Sequence, residues 1–409
     1  MTQANSAEGQ VLVINCGSSS IKYQLLAMGP GELVAGGVVE RIGETDPVLK
    51  RRARNESGVL VDEMQQVSAA DHREAFRVIE QALRTSPGFA DGRALIGIGH
   101  RVVHGGESFS SPTLITPTVI GSIRALSSLA PLHNPPNLIG IKLCREHFAQ
   151  VPQVAVFDTA FHQTMPARAY RYAVPEDWYE RDGVRRYGFH GSSHRYVATR
   201  AADYLGLPLP ELRMITLHLG NGASAAAIDR GRCIDTSMGF TPLEGLVMGT
   251  RCGDLDPAVC FYMQKVRAME AEGIEAILNR ESGLKGLCGS NDMREVLARA
   301  ETGDEEAALA VEIYCYRIKK YIGAYAAALG GFDVLVFTGG VGENSPAVRR
   351  DVCQGLDVFG IALDADGNAG PVAEVLPIGR GGLPVSVLVV RTNEELQIAR
   401  DALVAIRAA

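Results

Sequence analysis

Long apolar runs are missing from this sequence. None approaches the roughly 18 residues that a membrane-crossing helix needs, and the opening MTQANSAEGQ lacks the basic and apolar regions of a secretion signal. The expected location is cytoplasmic, with no membrane partner. Paired cysteines are missing too. The eight, at positions 16, 144, 233, 252, 260, 288, 315 and 353, are scattered without a CxxC, which points to reduced, mostly buried thiols and away from a zinc site or a disulfide frame. Nor is there an excess of positive charge: 40 Lys and Arg against 47 Asp and Glu leave a formal net charge of -7. Nucleic acid is therefore not an expected partner, and an anionic substrate would have to be drawn by individual arginines and backbone dipoles. What remains is ordinary for a globular enzyme: 409 residues, 46% hydrophobic and 21% charged, room for about two domains.

The rest of the chain is organised around MITLHLGNGASAAAIDRG, residues 214–231, which reads as a buried strand, a turn without bulky side chains and a second strand. Such a turn offers several backbone N–H groups to a phosphate that can approach closely. An ordinary tight hairpin has the same composition. The start of the chain repeats the pattern: VLVINCGSSSIKYQLL, residues 11–26, is an apolar strand, a turn of Gly17, Ser18, Ser19 and Ser20, and a returning strand that carries Lys22. A second pair, VAVFDTAFHQTMP from Val154 and VLVFTGGVGENSP from Val334, reads as two β-rich runs ending at a polar loop and a proline. These echoes predict one fold used twice, with its two sites facing each other across a cleft.

Between these landmarks, residues 11–60 read as a β-meander, with the basic RRAR at 51–54 as a solvated edge. Ala75, Phe76, Ile79 and Leu83 predict a packing helix over 71–86, stopped by Pro87-Gly88. A strand from Leu95 runs into His100, Arg101 and His104. The two histidines are four apart, but β-rich surroundings argue against a helical metal pair. Arg101, at the end of a buried strand, needs an anion, either a ligand or a structural partner. His133 and Asn134 precede Pro135-Pro136 at a helix entry; Asp158 ends a strand, where it meets ligand or caps a helix. His190 sits in a glycine-flanked loop, with Ser192 or Ser193 as the N-cap of a helix that ends at Gly206. Residues 233–259 read as an ordered loop system containing Arg251, and 256–300 as helical, with NDMRE at 291–295 opening a helix. One long helix over 304–329 carries a stripe of Ala308, Val311, Ile313, Ile318 and Ile322. VLVFTGGVGENSPAVRR then reads as strand, glycine loop and helix, a shape that closes over a nucleotide's sugar and phosphate. The strand VSVLVV leads into a terminal helix with Asn393, Glu394 and Glu395 in its first turn.

VLVINCGSSSIKYQLL, GHRVVHGGESF, APLHNPPN, VFDTAFHQTMP, YGFHGSSHRY, HLGNGAS, DTSMGFTPLEGLVMGTRCGDLDP, FTGGVGENS and TNEEL, in this order over about 11–405, together resemble the acetate kinases, of the acetate and sugar kinase, Hsp70 and actin superfamily. The resemblance implies an α/β, duplicated ribonuclease-H-like (actin-like ATPase) fold, with domains 1–157 plus 391–409 and 158–390 around a central nucleotide cleft. It implies a homodimer and reversible, Mg2+-dependent transfer of the γ-phosphoryl group of ATP to acetate, giving acetyl phosphate and ADP, with Mn2+ able to substitute. By resemblance Asn15 and Glu394 hold the metal and Lys22 contacts ATP. Arg101 binds the acid and His133 lies near the transferring group; Asp158, His190 and Arg251 are catalytic. ATP lies on His218, Leu219, Gly220, Asn221 and Gly222, on Asp292, Met293 and Arg294, and on Gly340, Val341, Gly342, Glu343 and Asn344. Val103, Leu132, Phe189 and Pro242 form the methyl pocket. Cys16 and Cys252 stand where the family pattern leads one to expect Ala and Ser.

The chemistry is consistent with those assignments. Acetate, with a pKa near the roughly 4.3 of Glu, is already an anion at neutral pH, so its attack needs no general base, and Asp158 is expected to orient rather than to take a proton. The difficulty is repulsion between two anions, which fixed positive charge must cancel. Two other readings share the motifs: a propionate kinase, one methylene away, and an actin- or Hsp70-like ATPase, against which stands the convergence of arginine and histidine on a small-acid site.

Overall fold

Runs of Val, Ile and Leu bounded by Gly, Ser and Asn set the strands of this chain. The computed structural model describes residues 9–55, 59–86, 89 and 95–409, and the chain divides into two units, Met1–Ala160 with Asn393–Ala409, and Phe161–Thr392. Asp158 falls in the first.

The first unit contains β1 (Gln10–Cys16), β2 (Ser20–Ala27), β3 (Glu32–Glu40), β4 (Val48–Arg54), β5 (Leu60–Gln66), β6 (Leu95–Val102), β7 (Thr113–Leu114) and β8 (Gln153–Phe157). They form one sheet in the order β5-β4-β3-β2-β1-β6-β8-β7, in which β1, β6 and β8 run parallel and the remaining pairs are antiparallel. The second unit contains β9 (Arg213–Leu219), β10 (Ala223–Asp229), β11 (Arg232–Thr236), β12 (Val334–Thr338), β13 (Val375–Pro377) and β14 (Ser386–Val390). Its order is β11-β10-β9-β12-β14-β13, with β9, β12 and β14 parallel. Six strands of the first sheet therefore match the second in order and sense, and the fold is duplicated.

The two hairpins identified as echoes, β1-β2 and β9-β10, are true counterparts. The second echo is not. The strand at Val154 is β8, whose counterpart is β14, whereas the strand at Val334 is β12, whose counterpart is β6. Both β8 and β12 are buried at every position, and an apolar run covered on both faces reports burial, not place in the sheet. RRAR also differs from its reading as an edge: it lies in β4, paired on both sides, and Arg52 makes a two-pronged contact with Asp62 of the edge strand β5, at 2.6 and 2.5 Å.

Helix His72–Arg84 buries Ala75, Phe76, Ile79 and Leu83, and Asp71 caps it by accepting from the Glu74 amide at 2.9 Å. The Pro87-Gly88 stop lies outside the described residues. The helix Glu394–Arg407 packs on β6, where glycine is required: a methyl group at Gly99 would stand 2.8 Å from Cγ2 of Ile398. In the second unit, residues 256–300 form four helices, Ala258–Arg267, Ala271–Arg280, Gly283–Cys288 and Met293–Glu301. The long helix is Glu305–Leu329, capped by Asp304; it buries Val311, Ile318 and Ile322, with Ala308 and Ile313 at the margin of the stripe.

Candidate active site

In the first unit, Arg101 stands near the carboxyl end of β6 and Asp158 just past the end of the adjacent parallel strand β8. That is where open α/β sheets place ligand groups. Nε of Arg101 donates to Oδ1 of Asp158 at 3.0 Å and Nη2 donates to Oδ2 at 2.6 Å. The Asp158 side chain is 1% exposed and that of Arg101 23%. Arg101 thus has a structural partner, and its outer edge stays open. Burial works against its charge, but the carboxylate of Asp158 outweighs burial and holds the guanidinium above its ordinary value.

Glu394 opens the helix that Asn393 caps. Its carboxyl is pushed up to about 7, by burial first and then by Asp158 and Glu395 against the opposing pull of Arg101. Lys22 forms an ion pair with Glu395 and lies opposite Asn15 in the β1-β2 register. Lys22 therefore sits beside the expected metal residues. Among the described residues no group of three His, Cys, Asp or Glu stands ready as a metal cage. Hard oxygen donors from Asn15 and Glu394, the latter crowded by the carboxylates of Asp158 and Glu395, nonetheless fit a small divalent ion that keeps most of its waters.

His133 precedes helix Asn134–His147 and is half-buried. Val103 is buried, while Leu132 is 51% exposed. Two asparagines of APLHNPPN pin this region; sequence reasoning places Asn134 only at a helix entry and does not single out Asn137. Asn134 accepts from the His104 amide at 3.1 Å and donates to its carbonyl at 3.1 Å; Asn137 accepts from the Val103 amide at 3.0 Å and donates to the Cys16 carbonyl at 2.8 Å.

In the second unit, His190 adopts left-handed backbone, φ 58°, immediately before helix Gly191–Leu205. A non-glycine residue there is strained and persists only where its surroundings fix it. Its Nδ1 lies 2.9 Å from Oγ of Ser224, and its ring stacks on His218 with centroids 4.3 Å apart. Ser224 also bonds His194 at 2.8 Å, and His218 bonds Ser193 at 2.8 Å. Hence neither Ser192 nor Ser193 is the helix cap: the cap position is His190, whose side chain bonds Ser224 and not the helix amides, while the Ser193 hydroxyl is committed to His218. Arg251 donates to the Pro242 carbonyl at 3.1 Å. Burial lowers its pKa, and no carboxylate among the described residues pairs with it. A side chain at Gly222 would meet Nη1 of Arg251 at 3.4 Å and Cε1 of His190 at 3.6 Å, so the turn after β9 approaches both groups closely. Phe189 is buried, its carbonyl accepting from His162 at 2.9 Å.

A cavity of about 540 Å³ lies in the same unit. Eight of the expected nucleotide residues line it: Gly220, Asn221, Asp292, Met293, Arg294, Gly340, Val341 and Asn344. Leu284, Asn291, Leu297, Tyr314 and Ser345 complete it and were not foreseen; Asn291 and Ser345 flank the expected stretches, while helix packing brings the other three there. The other six expected residues do not line it, Lys22 belonging to the first unit. Leu219 is fully buried and Gly342 buried, His218 belongs to the histidine-serine network, and Gly222 faces Arg251 and His190. Glu343 accepts from the amides of Gly339 and Thr392, each at 3.0 Å. Contiguous residues in a strand or helix point to different faces, so a run of sequence cannot all meet one ligand. The expected glycine loop is a short helix, Gly339–Asn344, entered at Gly339 with φ 78°, where a Cβ would stand 2.7 Å from the Leu219 carbonyl oxygen. Asp292 caps Met293–Glu301 and is held down at about 2 by hydrogen bonds from Arg294.

Residues 10–400 match the Acetokinase family. The chain belongs to this family. Among its relatives, the acetate kinase of Syntrophobacter fumaroxidans is 51% identical over 406 residues, 98% of each chain, and that of Thermotoga maritima 50% identical over 402 residues, 96% of this chain and 97% of the other. The crystal structure of Porphyromonas gingivalis acetate kinase superposes with a TM-score of 0.91 at 45% identity, covering 97% of this chain and all of that one, 100%. A propionate kinase from Francisella tularensis superposes with a TM-score of 0.90 at 38% identity, covering 97% and 99%. The duplicated α/β fold is thus the family's own.

The buried histidines carry a consequence for stability. His100 and His104 are both lowered from 6.5 to about 4, by burial first, and His194 lies well below 6.5 for the same reason. A histidine with a depressed folded pKa is protonated first in the unfolded chain, so stability falls as pH drops from 6.5 toward 4, by roughly 3 kcal/mol for each of the first two. Glu394, raised from 4.5 to about 7, opposes this by a similar amount. The expected net result is a lower urea midpoint at pH 5 than at pH 7; an equal or higher midpoint would show that these histidines are not held neutral.

Proposed function

We propose that the chain transfers the γ-phosphoryl group of ATP to acetate, reversibly and by direct in-line attack, giving acetyl phosphate and ADP in the cytoplasm. The observation that carries this reading is the cavity lined by eight expected nucleotide residues, in the unit that also holds Arg251, half-buried and without a carboxylate partner among the described residues. A half-buried guanidinium that has only neutral partners suits an anion that arrives as ligand. Arg101 binds the acid's carboxylate through its open edge, with Asp158 fixing the guanidinium plane. Both Asp158 oxygens are engaged by Arg101, and acetate, already ionised, needs no general base, so Asp158 serves to orient the guanidinium. His190 and Arg251 neutralise the charge on the transferring group, and His133 lies near it. When bound, magnesium supplies further positive charge at phosphate oxygens; Asn15 and Glu394 are the residues that would hold it, and manganese would substitute.

Acetate is favoured over propionate through Val103, a difference of about 1 to 3 kcal/mol. A hydroxamate assay for acyl phosphate with ATP and a series of short carboxylates tests this. Acetate should give the highest kcat/KM; a higher value for propionate would move the chain to propionate kinase activity.

The chain is further read as a homodimer. Helix Ala258–Arg267 buries none of its residues and presents Phe261, Tyr262 and Val266 at 61%, 61% and 59% exposure. An apolar face of this kind is ordinarily covered, and a second copy is the occupant the family likeness implies. Phe261→Glu combined with Tyr262→Glu should yield a folded monomer in sedimentation; a variant that stays dimeric would place the interface elsewhere.

A further inference from the structure

One arginine of the VLVFTGGVGENSPAVRR segment has no part in the chemistry above. Arg349, in helix Pro346–Cys353, is 1% exposed and heads the fully buried side chains by volume. Its donors all go to neutral oxygens: Nε to Oδ1 of Asn368 at 2.7 Å, Nη2 to the Asn368 carbonyl at 2.5 Å, and Nη1 to the carbonyls of Gly342 at 2.9 Å and Glu343 at 3.0 Å. Burial lowers its guanidinium to about 10, which leaves it charged at neutral pH. Burying a cation without an anionic partner is unfavourable. Its acceptors indicate what the arrangement secures.

Gly342 and Glu343 stand in the last turn of helix Gly339–Asn344. The final carbonyls of a helix lack intrahelical partners and carry the negative end of its dipole, so a guanidinium is the fitting cap. This helix has six residues, too few to hold its shape alone. It also supplies Gly340, Val341 and Asn344 to the cavity wall. Asn368, fixed in turn by donating to the Pro346 carbonyl at 2.9 Å, holds the guanidinium from the other side.

We propose that Arg349 is a positioning residue that clamps the helix Gly339–Asn344 and thereby sets affinity for the nucleotide but not for the acid. This rests on the reading of the cavity as the nucleotide site. Steady-state kinetics of the full chain, with ATP and acetate varied separately, test it on Arg349→Lys, Arg349→Met and Asn368→Ala. Arg349→Met should raise the KM for ATP about tenfold or more, with smaller increases in the other two, while the KM for acetate stays within about twofold. A side chain that only fills space would lower thermal stability and leave both KM values alone; that result, or a parallel rise in both, overturns the proposal. Should Arg349→Met fail to fold, Arg349→Lys and Asn368→Ala decide by the same criterion. If ATP gives the wild-type chain no thermal stabilisation, the nucleotide reading itself fails, a result that needs no variant.

Discussion

Arg251→Ala is expected to lower turnover at least about a hundredfold while barely moving the KM for ATP. Arginine groups that stabilise the charge of phosphoryl transfer are worth on the order of a thousandfold or more in rate. Arg251 has the features of such a group: it is half-buried, lacks a carboxylate partner among the described residues and is held by the Pro242 carbonyl beside the turn that follows β9. It does not line the cavity that carries the nucleotide residues, so ground-state binding of ATP should survive its loss. Turnover close to wild type, or a large rise in the KM for ATP with kcat preserved, would remove Arg251 from the chemistry.

The second large effect is expected from Arg101→Ala, and it has two parts. Removing the guanidinium strands the carboxylate of Asp158, 1% exposed, without its partner. Breaking a buried pair in this way costs about 3 to 5 kcal/mol. It should also raise the KM for acetate at least about tenfold through loss of a charge-assisted, two-pronged contact. The double variant Arg101→Ala with Asp158→Ala separates the parts. It should recover most of the stability, because no lone charge is left behind, and none of the acid affinity. If the single variant is as stable as wild type, Asp158 is not held by Arg101 in solution; if the KM for acetate is unchanged, Arg101 is structural only.

Much of this arrangement is legible in the residues themselves, for reasons that differ from place to place. The two hairpins at β1-β2 and β9-β10 announce themselves because small turn residues between apolar runs leave few alternatives. Helix His72–Arg84 is equally plain, since its four apolar positions share one face and Asp71 marks its start. The second echo misleads because a strand buried on both faces has no signature beyond being apolar. Distant contacts are harder still. That Ser193 serves His218 and not the helix end, that Glu343 turns to Thr392, and that Tyr314 closes the cavity from the long helix depend on elements brought together by packing. The clamp by Arg349 is of the same kind: its partner Asn368 is 19 residues away and belongs to no recognisable motif.

Phosphorus NMR of the full chain with ATP, magnesium and acetate tests phosphoryl transfer to a small carboxylate most directly. Acetyl phosphate and ADP should appear together in equal amounts, only when acetate is present, and should be nearly absent with Arg251→Ala. Release of inorganic phosphate and ADP at the same rate with or without acetate would contradict the proposed reaction and make the chain an ATPase instead.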